Sequence, residues 1–433
     1  MRILKQELYF PIIIGIHFLF WAIDLSLYSG DFIEPRSDTL LFGEYENTTG
    51  IHPSRIVGEV FSSWVVTVFA FNFLMATRAR WVERIFGGLD KMYVIHRRSG
   101  VIAVVLLLAH FVAVPRDLTA FTVGKPLGFY ALILILLGVV AAVAPPVKKR
   151  LRYHAWLRSH RLMGVFYVMG VAHAGLVFSL IQQLPITRVY VFGMAGVGVV
   201  SWVYRAFLYR RFNPELPYEV SAVRKLDART TEIDLKPLEG SLAFAPGQFA
   251  FFRFPKVGQG EAHPFTIAST PGDGGLRIAV RALGDDTSNM QGGVEAGDRV
   301  FVEGPFGHFT AEHAGDQKQI WVAGGIGITP FLSLAKAVGD RDVRLIWCVA
   351  NRGDAFYAEE LQALAEGDGG FGFEVWPSEE KGTFSLAALE LAGVDDTTFM
   401  VCGPPGLKDA LRKQVLERGG RSSSVLDEEF AFR

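Results

Sequence analysis

The sequence contains little cysteine and little charge. Among its 433 residues there are 2 cysteines, and only 20% of the residues are Asp, Glu, Lys or Arg. Cys348 and Cys402 lie far apart, so we expect no disulfide framework, as is usual for a domain in reducing cytosol. The formal net charge is −1, and the basic residues flank apolar segments and form no groove-sized patch. We therefore expect no nucleic-acid partner.

Long apolar segments occupy the first half of the chain. The sequence is 50% hydrophobic and 13% aromatic, and its mean hydropathy is +0.28. These values are typical of a membrane protein that carries a soluble part. The first half is also basic, whereas the second half is acidic. We predict a six-helix transmembrane bundle with spans at 11–27, 57–77, 93–114, 127–143, 157–181 and 186–208.

The connectors between these spans predict the orientation of the chain. Lys and Arg are concentrated in the connectors of one side, for example at 148–152. The positive-inside rule then places both termini in the cytoplasm and the chain in the plasma or inner membrane. The first span lacks a small-residue cleavage site and five more spans follow, so we interpret it as retained. Spans three and five consequently run parallel, both outward.

Four histidines lie on these two parallel spans. His96 and His110 are on span three, 14 residues apart, and His160 and His173 are on span five, 13 residues apart. At about 1.5 Å rise per residue, each pair of positions is separated by roughly 20 Å. His96 would therefore meet His160 at an inner level, and His110 would meet His173 at an outer one. Each pair could ligate one haem iron from both sides; the alternative is that these histidines only hydrogen-bond to neighbouring helices.

The spacing on span five departs from ideal helical geometry. Fourteen steps of about 100° return a side chain to nearly the same face, but thirteen steps leave it roughly 140° away. Span five must therefore bend or change pitch, or its ligands must approach the metal differently. Gly164 and Gly170 lie between its histidines and could permit a bend.

Other polar residues of the first half are less specific. Arg55 lies at the outer end of span two, where cations are scarce. It could pair with a haem propionate or hold an anion formed there, or it could be an interfacial anchor. We interpret His17, His52 and His154 as structural or interfacial residues.

The second half of the chain contains two different patterns of secondary-structure signals. Residues 217–310 contain short β-rich runs separated by Gly, Pro and Asp, which predicts a small antiparallel β-barrel. Residues 318–433 alternate buried-type strands with helical stretches, which predicts an α/β domain with a parallel sheet. The predicted domains are therefore a transmembrane domain at 1–213, a barrel at 214–312 and an α/β domain at 313–433.

Several motifs follow one another in this half. They are HPFTIAS at 263–269, IAVRALGDDTS at 278–288, GPFG at 304–307, AGGIGITP at 323–330, CGPP at 402–405 and EEFAFR at the end. Together they resemble the ferredoxin–NADP⁺ reductase superfamily. With the four histidines in front, nearly the whole chain resembles the NADPH oxidase and ferric reductase transmembrane family.

The resemblance implies an FAD site in the barrel. In HPFTIAS, backbone groups and Thr266 can hold the isoalloxazine edge and Phe265 can pack against it, while Arg281 offers a cation to the flavin pyrophosphate. The C-terminal aromatic residue that stacks on the flavin in such reductases corresponds to Phe430, with Phe432 as the rival. The candidate FAD-binding residues are His263, Pro264, Phe265, Thr266, Ser269, Arg281, Thr287, Gly304 and Phe430.

The resemblance also implies an NADPH site in the α/β domain. Glycines before a helix let the backbone approach a dinucleotide phosphate, although a tight strand–helix connection alone would also explain them. Cys402 would lie beside the nicotinamide, the alternative being a small buried residue. Arg352 lies where a 2′-phosphate would bind, so NADPH is favoured over NADH, although Asp354 lies close. The candidate residues are Gly324, Gly325, Gly327, Thr329, Pro330, Arg352, Cys402, Gly403 and Pro404.

The implied activity is transmembrane electron transfer from cytosolic NADPH, through FAD and two b-type haems, to an acceptor on the outer face. The favoured acceptor is dioxygen, giving superoxide, with Arg55, Cys402 and Phe430 as candidate catalytic residues. A ferric chelate is the alternative small molecule. The eukaryotic oxidases of this family carry a further histidine, four residues beyond the outer ligand of span three, where this chain has Val114, which weakens the oxygen interpretation.

An electron-donor subunit that reduces a periplasmic or membrane protein is an alternative of another class. The acidic stretch 28–53 is long enough to dock such a partner. The sequence has no EF-hand loop and no proline-rich tail. It therefore predicts activity without calcium or cytosolic activators.

Overall fold

The computed structural model divides the chain into two compact units, Met1–Phe212 and Asn213–Arg433. Each unit is described by itself. The residues that the structure describes are 6–28, 53–114, 122–150, 153–257, 260–315, 318–367, 369–389, 391, 393–394 and 396–428.

The first unit is helical. Its helices are α1 Gln6–Leu27, α2 Pro53–Ala76, α3 Arg80–Phe86, α4 Leu89–Ala113, α5 Gly124–Val143, α6 Pro145–Arg150, α7 Tyr153–Arg161, α8 Met163–Leu176, α9 Leu180–Gln183 and α10 Pro185–Val203, followed by a π-helical turn Tyr204–Leu208 and α11 Tyr209–Phe212. Among the described residues, α2, α4, α5 and the continuous stretch Pro185–Phe212 are long and apolar enough to cross a membrane. The described apolar part of α1, Ile12–Leu27, is shorter. The predicted count of six spans is therefore not confirmed.

The fifth predicted span is interrupted at Leu162, between α7 and α8. The indole N–H of Trp202 donates to the carbonyl oxygen of Arg161 at 3.3 Å, which satisfies a backbone group at the interruption. A Cβ at Gly164 would overlap the same indole, so this glycine admits Trp202. At Gly170, by contrast, a Cβ would meet nothing within 4 Å. The departure from a straight helix thus lies beside His160, before both glycines.

Small residues allow the helices to pack closely around α2. Gly138 on α5 leaves room for Met163, because a Cβ there would lie 2.5 Å from the methionine sulfur. Gly198 on α10 similarly leaves room for the ring of Tyr167. The Tyr167 hydroxyl donates to the carbonyl of Val66 on α2 at 3.1 Å. These contacts join α2, α5, α8 and α10 into one apolar core.

The second unit begins with an antiparallel sheet of order β4-β3-β6-β1-β2-β5. Its elements are β1 Leu216–Lys225, β2 Thr230–Pro237, β3 Phe249–Arg253, β4 Ala262–Thr266, β5 Leu276–Arg281, α12 Asp285–Gly293 and β6 Arg299–Phe306. The N–H of Ala268, just after β4, donates to the carbonyl of Arg277 on β5 at 2.7 Å. This bond links the two ends of the sheet, which curves into a half-barrel; the closed barrel that the sequence predicts is not confirmed. The sequence did not predict β4 as a strand, because its proline and histidine obscure the β pattern.

A five-stranded parallel sheet of order β11-β10-β7-β8-β9 completes the unit. Its elements are α13 Ala311–Ala314, β7 Lys318–Gly324, α14 Thr329–Ala335, β8 Val343–Val349, α15 Ala358–Gly367, β9 Phe371–Pro377, α16 Ser378–Lys381, β10 Thr397–Cys402, α17 Pro405–Glu417 and β11 Val425–Asp427. All strand pairs are parallel. The carboxyl ends of β7 and β10 are neighbours, which places the two glycine motifs at one edge of the sheet.

Candidate functional site

The inner pair of histidines is brought together by the fold. The ring centres of His96 on α4 and His160 on α7 lie 6.0 Å apart, and the two ring planes are 74° apart. Metal–imidazole bonds are about 2 Å long and each nitrogen lies roughly 1 Å from its ring centre, so two imidazoles on opposite sides of one metal have ring centres roughly 6 Å apart. The separation therefore fits a metal held between these two rings.

Three of the four histidines also have the second hydrogen bond that metal ligands usually make. His110 Nδ1 lies 2.8 Å from the carbonyl oxygen of Gly58 and His173 Nδ1 lies 2.9 Å from that of Gly124. His96 hydrogen-bonds to the backbone of Asn72. Because a carbonyl only accepts, each Nδ1 that bonds to one carries the proton and its Nε2 is left for a metal. Metal-bound histidines characteristically have this arrangement.

Glycines on the facing helices make the outer-level contacts possible. A Cβ at Gly128 on α5 would lie 2.5 Å from Nδ1 of His173. A Cβ at Gly58 on α2 would overlap Val114 at the end of α4. The sequence analysis did not single out these glycines. The available signal was their position in apolar helices, where a glycine usually marks a close approach.

Arg55 belongs to a buried network at the same end of α2. Its Nη1 lies 3.5 Å from Oε1 of Glu59, and both residues are buried. The carboxylate of Glu59 also accepts the backbone N–H groups of Leu180 and Ile181, each at 2.9 Å. The sequence analysis overlooked Glu59, although an acidic residue in a membrane helix is a functional candidate by default. Gly58 thus connects α2 to α4, which carries His110, and Glu59 connects α2 to α9, the helix that follows α8.

The predicted flavin motif lies on β4, an edge strand of the sheet. His263, Pro264 and Phe265 precede Thr266 on this strand. Thr266 is buried, and among the described residues its hydroxyl has no hydrogen-bond partner. Burying an unpaired hydroxyl is costly, so a ligand atom at this position would compensate it. The orphaned hydroxyl therefore fits the predicted FAD site.

Three other predicted flavin residues make contacts within the barrel. Ser269 Oγ donates to the carbonyl of Gly275 at 3.1 Å and accepts the N–H of Arg277 at 3.0 Å, which helps to close the sheet. Thr287 Oγ1 accepts two backbone N–H groups at the start of α12. A Cβ at Gly304 would lie 2.9 Å from that of Ala250. Arg281 ends β5 and is half-buried.

The two nucleotide motifs contact each other at the carboxyl edge of the parallel sheet. Gly325 starts a turn with φ of 54°, a left-handed conformation that favours glycine. A Cβ at Gly327 would overlap the carbonyl of Cys402, and one at Gly324 would lie 2.7 Å from Cδ of Pro404. Thr329 and Pro330 then open α14. Ligands of α/β proteins bind at this edge, and the helix start offers backbone N–H groups to an anion.

Neighbouring groups determine the protonation of Cys402 and the pairing of Arg352 near this edge. Cys402 is fully buried; burial, reinforced by the charge of Glu428, raises the pKa of its thiol well above the ordinary value. It therefore stays a neutral thiol. Arg352, the predicted reader of a 2′-phosphate, forms an ion pair with Glu380, with Nε 2.8 Å from Oε1. Gly403, Phe430 and Phe432 complete the prediction, but Phe430 and Phe432 lie outside the described residues, as do His52 and most of the acidic stretch 28–53.

A polar clamp joins the barrel to the α/β domain. The Tyr357 hydroxyl donates to Oε2 of Glu232 on β2 at 2.6 Å. Arg277 on β5 donates two hydrogen bonds, at 3.0 and 2.8 Å, to the carboxylate of Glu360 on α15. Burial and the charge of Glu232 raise the pKa of Tyr357, so the phenol remains a hydrogen-bond donor. The sequence analysis did not predict this clamp.

Three family models match the chain in succession. Residues 61–171 match the ferric reductase like transmembrane component, residues 217–310 match an FAD-binding domain, and residues 321–413 match an oxidoreductase NAD-binding domain. Their order is the one that the motifs predict.

Curated relatives cover about half of the chain or less. The reductase component of propane 2-monooxygenase from Mycolicibacterium goodii is 28% identical over 44% of this chain and 61% of the relative. Component C of methane monooxygenase from Methylosinus trichosporium is 34% identical over 29% of this chain and 38% of the relative. Dual oxidase 2 from Sus scrofa is 26% identical over 47% of this chain and 13% of the relative. The chain thus spans less than two thirds of the length of each of these proteins.

One solved structure is similar over most of the chain. The flavohemoglobin from Malassezia yamatoensis has a TM-score of 0.51 at 14% identity, covering 87% of this chain and 98% of the flavohemoglobin. At this identity the likeness concerns the fold alone.

Proposed function

We propose a function that follows from the family of the chain. The chain belongs to the NADPH oxidase and ferric reductase transmembrane family, since it joins a ferric reductase like transmembrane component to FAD-binding and NAD-binding domains. It is a membrane oxidoreductase that transfers electrons from NAD(P)H through a flavin. In the proposed reaction, cytosolic NADPH would be the electron donor, the acceptor would lie on the outer face, and the four histidines would hold two b-type haems between them. The observation that carries this proposal is the four-histidine arrangement. Nδ1 of His110 and of His173 is held by a backbone carbonyl, His96 hydrogen-bonds to the backbone of Asn72, and the rings of His96 and His160 are spaced for a metal.

The second unit would perform the hydride step. A bound flavin accepts two electrons from a nicotinamide and releases them singly. In our proposal the turn at Gly325 and the start of α14 bind the coenzyme phosphates, while Cys402 provides a neutral, tightly packed wall beside the nicotinamide. Thr266 donates its hydroxyl to the flavin edge. The Glu232–Tyr357 clamp holds the barrel and the α/β domain in the arrangement that would bring the nicotinamide ring to the flavin ring.

The helical unit would carry the electrons across the bilayer. A bound haem would supply one-electron redox chemistry at each pair of histidines. His96 and His160 would hold the inner haem, and His110 and His173 the outer one. The Lys and Arg bias of the connectors supports a cytoplasmic second unit. Electrons therefore leave the cytosol while no protein moves.

Dioxygen is the proposed acceptor, and superoxide the product. The buried Arg55 at the outer level supports this choice, because a fixed cation stabilises an anion that forms next to it. Its pairing with Glu59 moderates that charge. A ferric chelate is the alternative, since it also needs only an outer haem edge. An electron-donor subunit for a periplasmic or membrane protein is the alternative of another class.

The test uses the purified full chain supplied with FAD and haem. We expect low-spin, six-coordinate haem at two irons per chain, and NADPH oxidation with dye reduction that superoxide dismutase suppresses. His173→Leu should lose one of the two haems. His17→Asn is the matched control: its ring is also buried in the membrane unit but contacts Ser63 through Nε2 at 2.9 Å, and this variant should keep both haems.

Other outcomes have defined meanings. NADPH oxidation without a dismutase-sensitive signal would exclude dioxygen as the one-electron acceptor. Turnover that requires an added protein would support the donor-subunit alternative. A chain that binds no low-spin haem would refute the proposed electron path.

A further inference from the structure

His160 differs from the other three histidines in how its ring is held. His96, His110 and His173 each hydrogen-bond to the protein backbone. Among the described residues, Nδ1 of His160 is buried and has no hydrogen-bond partner. A hydrogen bond at the second nitrogen normally fixes the orientation of a ligating imidazole. His160 must therefore be oriented by something else.

The aromatic ring of Trp156 is in contact with His160 in a way that supplies this orientation. Trp156 lies four residues earlier on α7, which places it on the same face of the helix. The two ring centres are 5.3 Å apart and the planes differ by only 11°, so the rings are stacked. Rotation of the imidazole about its Cβ–Cγ bond would break this stack, because offset aromatic pairs prefer defined geometries.

The interruption at Leu162 makes the stacked pair a separate unit. Trp156 and His160 both lie on α7, whereas His173 lies on α8. The bond from Trp202 to the carbonyl of Arg161 holds the end of α7 independently of the stack. The stack can consequently set the plane of His160 without constraining the outer histidine.

We propose that Trp156 is a positioning residue that sets the ring plane of His160, and thereby the crossed arrangement of 74° between the planes of His160 and His96. The inference rests on the proposed haem ligation at these two histidines. A low-spin ferric haem reports the angle between its axial imidazole planes in its electron paramagnetic resonance spectrum: crossed planes produce a strongly axial signal with a large maximal g value, and parallel planes produce a rhombic one. A substitution of Trp156 should therefore change the electron paramagnetic resonance signal of the inner haem and leave that of the outer haem unchanged.

The experiment compares variants of the full chain loaded with both haems. Trp156→Leu removes the ring and keeps an apolar side chain, whereas Trp156→Phe keeps an aromatic plane. We expect Trp156→Leu to shift one of the two low-spin ferric signals towards rhombic symmetry at unchanged haem content, and Trp156→Phe to retain the axial signal. Trp81→Leu is the matched control, because this tryptophan of α3 is exposed and, among the described residues, stacks on none of the four histidines. It should leave both signals unchanged.

Each other result is decisive. If Trp156→Leu binds two haems and leaves both signals at their original g values, Trp156 only fills space and the inference is wrong. If the leucine variant does not fold, Trp156→Met, which also lacks a ring but is longer, is judged by the same criterion. An absence of low-spin bis-histidine haem in the unsubstituted protein would instead refute the proposed function.

Discussion

The hydroxyl of Tyr357 provides a sharp test of the clamp between the barrel and the α/β domain. Tyr357→Phe removes one oxygen and leaves the ring in its buried position. The lost bond is a short one, 2.6 Å, to the carboxylate of Glu232, which keeps its ion pair with Arg224. Hydrogen bonds to charged groups contribute about 1.5–3 kcal/mol. The ion pair between Arg277 and Glu360 remains in the variant and limits the damage.

The magnitude of the effect follows from this energy. A loss of about 2 kcal/mol lowers the ratio of docked to undocked domain arrangements roughly thirtyfold. Hydride transfer needs the docked arrangement, so flavin reduction by NADPH should slow, by up to about thirtyfold where the undocked arrangement predominates in the variant. The assay is anaerobic stopped-flow flavin reduction in the full chain at saturating NADPH, with the haem spectrum recorded in parallel.

Tyr218→Phe is the matched control for this prediction. Tyr218 is also a buried tyrosine, but its hydroxyl accepts the N–H of Leu242 at 2.8 Å inside the barrel. This variant should lose stability and still reduce flavin at the normal rate. Equal slowing in both variants, or an unchanged rate in Tyr357→Phe, would refute the reasoning that the clamp positions the two domains.

Three further predictions concern the outer level, the thiols and the acid limit of the clamp. Gly128→Ala should displace His173, since the added Cβ would lie 2.5 Å from its Nδ1, and we expect the variant to lose one of the two haems per chain. Gly170→Ala, where a Cβ would meet nothing within 4 Å, should keep both haems. A pyridine haemochrome assay measures the haem content of both variants. Burial raises the pKa of Cys402 well above the ordinary value and that of Cys348 to about 12. Both thiols should therefore stay unreactive in the native protein up to pH 9 and react with maleimide only after unfolding. Rapid labelling of Cys402 in the native protein would contradict its burial. Burial acts to raise the pKa of Glu360, but the hydrogen bonds and the charge of Arg277 outweigh it, so the pKa is lowered. The ion pair between Glu360 and Arg277 therefore stabilises the clamp fully above the usual pKa of 4.5. This contribution is lost as the pH falls through the lowered pKa. Flavin reduction should therefore weaken at acid pH in the unsubstituted protein and be already weak at pH 7 in Glu360→Gln, and a pH-independent rate in both would contradict the role of the ion pair.

Much of the architecture followed from local pattern. Most strands of the second unit and the helices that follow the glycine motifs were predicted because their period, β-branched content and turn residues agree with the final fold, whereas the short strand β11 was not. Strand β4 was not predicted, since its pairing with β3 compensates for a weak local propensity. Helix α7 was merged with α8 for a similar reason. At the interruption the carbonyl of Arg161 accepts a hydrogen bond from Trp202, a contact between residues 41 positions apart.

The candidate site divides in the same way. Residue type and spacing along the chain were enough to propose the four histidines as ligands, because both are properties of the sequence and of side-chain chemistry. The flavin and nucleotide residues were proposed from the resemblance of their motifs to a known reductase family. Tertiary structure alone decided which carbonyl faces Nδ1 of His110 and of His173, that Glu59 accepts the N–H groups of Leu180 and Ile181, and that Tyr357 meets Glu232. Such contacts join residues distant in sequence, and their geometry depends on how whole helices and sheets pack, which no local pattern encodes.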